Sequence, residues 1–237
     1  TEAGAANMDV TDFGLYFGNV AGMGIDVFYN MLDLPENAAG DANGINTLGI
    51  HYGKTYNDAI GVNFNFATQM GTNEQGVEDS DYSGMMYDLD LSYKLDMGFL
   101  NKIGFGYESM IGQDDSGDVT AWQDLFPTAH KFHGYQEIVG PVFSGGHAGL
   151  NDIEFNFWGA LPIGGLSYKL DFHMLSYVED TGLEGNTDLG SEFDLTLKKK
   201  MGKFGVNLGY SMFMPADNYD AIGDAQSWMY LQWVANF

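Results

Sequence analysis

Apolar and polar residues alternate along this chain in segments of roughly ten residues, and the pattern returns from one end to the other. Tyr87, Leu89, Leu91, Tyr93 and Leu95 alternate with Asp88, Asp90, Ser92 and Lys94. Leu166, Tyr168, Leu170, Phe172 and Met174 alternate with Ser167, Lys169, Asp171 and His173. Phe204, Val206, Leu208, Tyr210 and Met212 alternate with Gly205, Asn207, Gly209 and Ser211. The last segment is Trp228–Phe237. Its apolar set is Met229, Leu231, Trp233, Ala235 and Phe237, with Tyr230, Gln232 and Asn236 between them and Val234 as the exception. Side chains repeat with period two only in an extended strand, so each segment is a strand whose two faces meet different surroundings. Helical periodicity competes nowhere over a comparable length.

A water-soluble sandwich would turn its apolar faces inward and its polar faces to solvent. Two features point the other way. The apolar face is long and made of large residues in nearly every segment, and the opposite face carries full charges at mid-strand, among them Asp88, Asp90, Asp171 and Asp194. A barrel with lipid outside and water inside accounts for both. Tyr56, Tyr177 and Trp233, near strand ends, suit the aromatic girdles at the two membrane surfaces. Short connections, such as 56–59 and 162–165, alternate with long ones, such as 33–44 and 112–152. That is the rhythm of periplasmic turns and extracellular loops. The expectation is an all-β chain: a transmembrane antiparallel up-and-down β-barrel with about eleven strands, forming one domain over residues 1–237. The aromatics Trp122, Phe126, Phe132, Tyr135 and Phe143 in the segment 112–152 are too many to leave in water, so this segment is expected to fold into or across the barrel mouth.

Charge narrows the function. Asp and Glu number 33 against 9 basic residues, for a formal charge of -24, and every basic residue is Lys. Without Arg, and with this surplus of carboxylate, nucleic acid is excluded as a partner and polyanions are disfavoured. With no Cys there is no disulfide framework, thiolate nucleophile or thiolate metal site. The alternation assigns a pore wall: Asp26, His51, Asn63, Asn65, Asp88, Asp90, Lys94, Glu108, Glu154, Lys169, Asp171, His173, Glu192 and Asp194. Carboxylates outnumber lysines on it, so its field favours cations or neutral solutes. The expected function is an outer-membrane channel for small or oligomeric polar solutes, acting without covalent chemistry or a cofactor. A structural barrel that anchors or sheaths a partner, such as a surface filament or electron carrier, is the alternative. Outer-membrane hydrolysis is a lesser one. For that last reading His130 and His133 in HKFH are weak metal candidates, but no HExxH or Ser–His–Asp arrangement accompanies them. Acidic loop residues, including Asp114, Asp115, Asp118, Asp217, Asp220 and Asp224, are candidates for Ca²⁺ or bridging divalent ions, although their spacing matches no EF-hand. Outer-membrane lipid and lipopolysaccharide are the expected surroundings.

Four stretches carry a family resemblance: LFPTAHKFHGY (Leu125–Tyr135), LGSEFDLTL (Leu189–Leu197), SMFMPAD (Ser211–Asp217) and the closing WMYLQW. Through them the chain resembles the porin-like branch of the alginate-export family of outer-membrane barrels. The resemblance implies a solute-passing barrel of about 18 strands. It departs from the family in one respect: an alginate pore is expected to be basic, whereas this wall is acidic. Bacterial single-chain barrels have even strand numbers, so an odd count near eleven points to the C-terminal part of a larger barrel. The remaining strands would come from another piece of the same barrel, beside Phe13–Phe17.

Overall fold

The computed structural model describes residues 11–34, 43–74, 80–124, 133–136, 148–179, 187–217 and 223–235. Twelve strands form one antiparallel sheet. They are β1 (Thr11–Phe17), β2 (Ile25–Leu34), β3 (Asn43–Tyr56), β4 (Ile60–Asn73), β5 (Ser80–Tyr82) and β6 (Met85–Lys94), then β7 (Leu100–Met110), β8 (Leu150–Leu161), β9 (Leu166–Ser176), β10 (Asp188–Met201), β11 (Phe204–Pro215) and β12 (Gln226–Ala235). Eleven of them pair in chain order. The three-residue β5 lies off that path, folding back on the end of β4 through Gly71, Thr72 and Asn73. The sheet is open: among the described residues no register joins β1 to β12.

Local chemistry sets the tight ends. Asn57 and Asp58 both hold positive φ, as a type I′ hairpin requires, and these are the residue types that tolerate it. Gly202 (φ 64°) opens the two-residue turn before Phe204, where a side chain would be strained. These turns match the right-handed twist of the strands and lock the register. The register is strict because a slip of one residue would exchange the two faces.

The outward face is apolar and open. Phe64, Leu91, Phe155 and Leu208 are exposed, and Leu170 and Leu195 are half-buried. None of the six packs in a closed interior. Phe105 and Phe155 stack edge-on at 5.6 Å between ring centres on this face.

The opposite face changes character along the strands. Its middle is polar, but toward the long connections it turns apolar. Met86, Met110 and Leu150 stand in register, and Met110, Leu150, Leu175, Leu189 and Phe213 form a buried cluster. Trp122 and Ala216 pack against that cluster from the connections. Tyr177 does so too, and therefore does not sit in the outer girdle expected of it. It follows β9 directly, and its backbone N–H donates to Thr187, which draws it over the mouth. The first part of the long segment is tied down as well: Ser83 and Val119 exchange strand-like bonds with their neighbours, and Trp122 N–H donates to Ile111.

Candidate functional site

Registration across the sheet lines up the polar residues in rows. Asp26, His51, Asn65, Asp88, Glu108 and Asp152 stand opposite one another on six consecutive path strands. Within this row Asn65 links His51 (2.7 Å) to Asp88 (2.7 Å). A second row holds Glu154, His173 and Glu192. A third holds Asn156, Asp171, Asp194 and Ser211. Each row exists because the side-chain period is two and the ladders are unbroken through mid-strand.

Where the rows meet, the sheet encloses a cavity of about 240 Å³. Seven carboxylates line it, from Asp88, Asp90, Glu108, Asp152, Glu154, Asp171 and Asp194, against one lysine, Lys169, and two histidines. Lys169 is bound to Asp171 at 2.9 Å. His173 is buried among three acids: its Nδ1 lies 2.8 Å from Asp152, and its Nε2 lies 3.6 Å from Glu154 and 4.0 Å from Asp194. Asn156 donates to Asp171 (2.9 Å) and to Glu154.

Part of the long segment closes one side of the cavity. Residues 133–136 lie against the polar face. His133 contacts Glu108, Tyr135 N–H donates to Asp194 at 3.0 Å, and Gln136 N–H donates to Glu192 at 2.8 Å. The Tyr135 hydroxyl is 2.8 Å from that of Thr196. Gly134 holds φ 89°, and a Cβ there would fall 2.5 Å from the Glu192 carboxyl, so only glycine fits this approach. Two buried carboxylates thus bind two successive backbone N–H groups, and such charge-assisted bonds are stronger than neutral ones.

Burial alone would draw the His133 imidazole down, but the Glu108 carboxylate outweighs it, with further help from Asp152, and holds the group above the ordinary histidine range. A raised folded-state pKa means the stabilisation is complete below the ordinary histidine pKa and is lost as pH rises through the raised value. Docking of 133–136 is therefore expected to loosen on alkalinisation. Protection factors of the Tyr135 and Gln136 amides, corrected for intrinsic exchange, should fall as the His133 ring resonances titrate. Constant protection through that titration would contradict the coupling.

Of the residues assigned from the sequence, Asp88, Asp90, Glu108, Glu154, Lys169, Asp171, His173 and Asp194 converge on the cavity. Asn63 lines an adjoining one. Asp26, His51 and Asn65 continue the first polar row away from it. Lys94 stands nearer the turns, opposite Lys102, and Glu192 is fully buried beneath residue 134. Asp152 and Lys102 line the cavities as well, although the sequence pattern leaves them at the strand ends, and Trp158, which alternates with Phe155 and Phe157, lines the adjoining one. His130 and Asp220 lie outside the described residues. Among the described residues no group of three His, Asp or Glu is arranged to hold a metal ion. At 112–120 the acidic side chains close the turn themselves: Asp114 accepts from the Ser116 N–H (2.9 Å), and Asp118 from that of Asp81 (3.2 Å). The hydrogen bonds from Ser116 hold the Asp114 carboxyl below its ordinary range.

No protein-family model and no curated protein sequence matches the chain. Solved structures do. OmpF of Salmonella typhi, in a complex with daunomycin, superposes with a TM-score of 0.55 at 13% identity, over 94% of this chain and 61% of its own. The NanC porin gives a TM-score of 0.45 at 10% identity, over 96% of this chain and 99% of its own. The fold is that of a porin-like β-barrel. The chain spans 61% of the OmpF chain's length, and the open edges at β1 and β12 accord with a barrel sheet that is not closed within it.

Proposed function

We propose that this chain forms the wall of an outer-membrane channel that passes small or oligomeric polar solutes and prefers cations or neutral solutes to anions. One observation carries the reading. The same strands present exposed phenylalanines and leucines on one face and, on the other, a cavity with seven carboxylates against a single lysine. Apolar residues at that exposure suit lipid, and an acidic wall in a narrow, low-dielectric passage concentrates cations. The docked 133–136 segment narrows the passage. The porin-like fold supports the barrel reading, and the acidic wall argues against a polyanionic cargo. An unpaired strand edge in lipid costs several kcal/mol for each unsatisfied backbone group. The β1 and β12 edges are therefore where further strands of the same protein complete the barrel.

Reversal potentials in a KCl gradient across a planar bilayer test the selectivity. The acidic wall predicts a potential on the potassium side at neutral pH. A potential on the chloride side would overturn the reading and restore a polyanion as cargo.

A further inference from the structure

The acidic cavity adjoins a second one of about 210 Å³, and Asp90, Glu154 and Lys169 line both. The second has different chemistry. It adds Lys102, Trp158, Asn63 and Asn156, and the Lys102 ammonium lies 3.6 Å from the centre of the Trp158 ring. Lys169 also faces that ring, at 5.7 Å, but it is engaged by Asp171. Lys102 has no carboxylate within ion-pair distance among the described residues. It is therefore a half-buried cation, fixed in place by an aromatic face and still able to accept an anion.

The acidic side has unmet capacity of the opposite kind. Asp152 and Asp194 line the first cavity, are 6% and 1% exposed, and each has a buried carboxylate oxygen without a hydrogen-bond partner among the described residues. Buried acceptors left in that condition are costly unless a ligand or water supplies the donor. The two halves are offset along the strands. Asp90 stands opposite Gly106, and Lys102 lies four residues further toward the turn, about 13 Å along the backbone.

We propose that the joined cavities form a binding site for a small zwitterion with well-separated charges, an ω-amino acid in chemical class. Its ammonium group would be taken on the acidic side by Asp90, which lines both cavities, and its carboxylate by Lys102 beside Trp158. A simple organic cation would satisfy only the acidic half and leave Lys102 unanswered. A simple anion at Lys102 would face Asp90 and Glu154 and leave the acidic half unanswered. This deepens the channel reading and rests on it only for the route by which the solute arrives.

Calorimetric titration of the full chain in detergent micelles tests the site, with ε-aminocaproate, hexylamine and caproate as probes. Aminocaproate should bind roughly tenfold more tightly than either single-charge analogue, the return expected from one extra charge-assisted contact. Lys102→Gln should abolish its advantage over hexylamine, and Lys102→Arg should retain it. Asp90→Asn should weaken aminocaproate and hexylamine together. Equal binding of aminocaproate and hexylamine, or an unchanged ratio in Lys102→Gln, would overturn the proposal. Planar-bilayer currents from the same preparation separate the two readings. Cation-selective current without preference for aminocaproate removes the site and leaves the channel. Tight aminocaproate binding without current removes the channel and leaves the site.

Discussion

Replacing Phe155 by lysine should destabilise the folded barrel in a bilayer by about 2–4 kcal/mol, the cost of a lysine on a lipid-facing strand near the membrane midplane. Phe155 lies in the middle of β8, opposite Phe105 and Phe172, and is 38% exposed with nothing but the outer face around it. A lysine there has no carboxylate on its own face to pair with and little reach to either membrane surface. Phe204→Lys is the control. Phe204 is 56% exposed at the start of β11, beside a tight turn, where a lysine reaches the interface and costs about 0–1 kcal/mol. Urea unfolding in lipid vesicles reads both variants. Equal stability of the two would mean that the outer face does not meet lipid.

Gly134→Val should release residues 133–136 from the polar face and raise single-channel conductance. The substitution acts twice. A left-handed conformation costs a residue with a side chain about 1–2 kcal/mol, and the new Cβ would strike the Glu192 carboxyl. Relief by local movement breaks the bonds from the Tyr135 and Gln136 N–H groups to Asp194 and Glu192, each worth about 1.5–3 kcal/mol as a hydrogen bond to a charged group. The strand ladders on either side of Glu192 and Asp194 are formed by their own backbone bonds, so the barrel itself should persist. Unchanged conductance in a variant that still inserts would show that the segment does not narrow the path.

The strands were legible because one face contrasts with the other. Where the contrast held, as along Tyr87–Leu95 or Phe204–Met212, the alternation located strand, face and partner row together. It fell silent where both faces are apolar. Met110, Leu150, Leu175 and Phe213 point to the side that is wet further down, but they lie beneath the connections that cover the mouth, and nothing local distinguishes them from outward residues. Tyr177 belongs to the same covered region, where its sequence reads equally as a girdle residue. The strand Ser80–Tyr82 is too short to show a period at all. Half of the cavity was readable by parity: Asp88, Asp90, Glu154 and Asp171 alternate with apolar neighbours. Asp152 and Lys102 obey the same parity but sit where strand meets connection, so they read as loop and turn. The docking of 133–136 was expected only as a segment entering the mouth. Its partners Glu192 and Asp194 are more than fifty residues away in sequence, and no local pattern encodes a contact that distant.

The chain contains no cysteine, so single cysteines report without background. Asp90 and Leu91 are neighbours in β6, one lining the acidic cavity and the other 40% exposed on the apolar face. The most direct test of the account is labelling of Asp90→Cys and Leu91→Cys in vesicles with a water-soluble cationic thiol reagent, followed by single-channel recording. The account predicts that Asp90→Cys reacts and its current falls, while Leu91→Cys is silent to that reagent and responds only to a lipid-borne quencher on an attached fluorophore. Rapid aqueous labelling at Leu91→Cys with none at Asp90→Cys would contradict it.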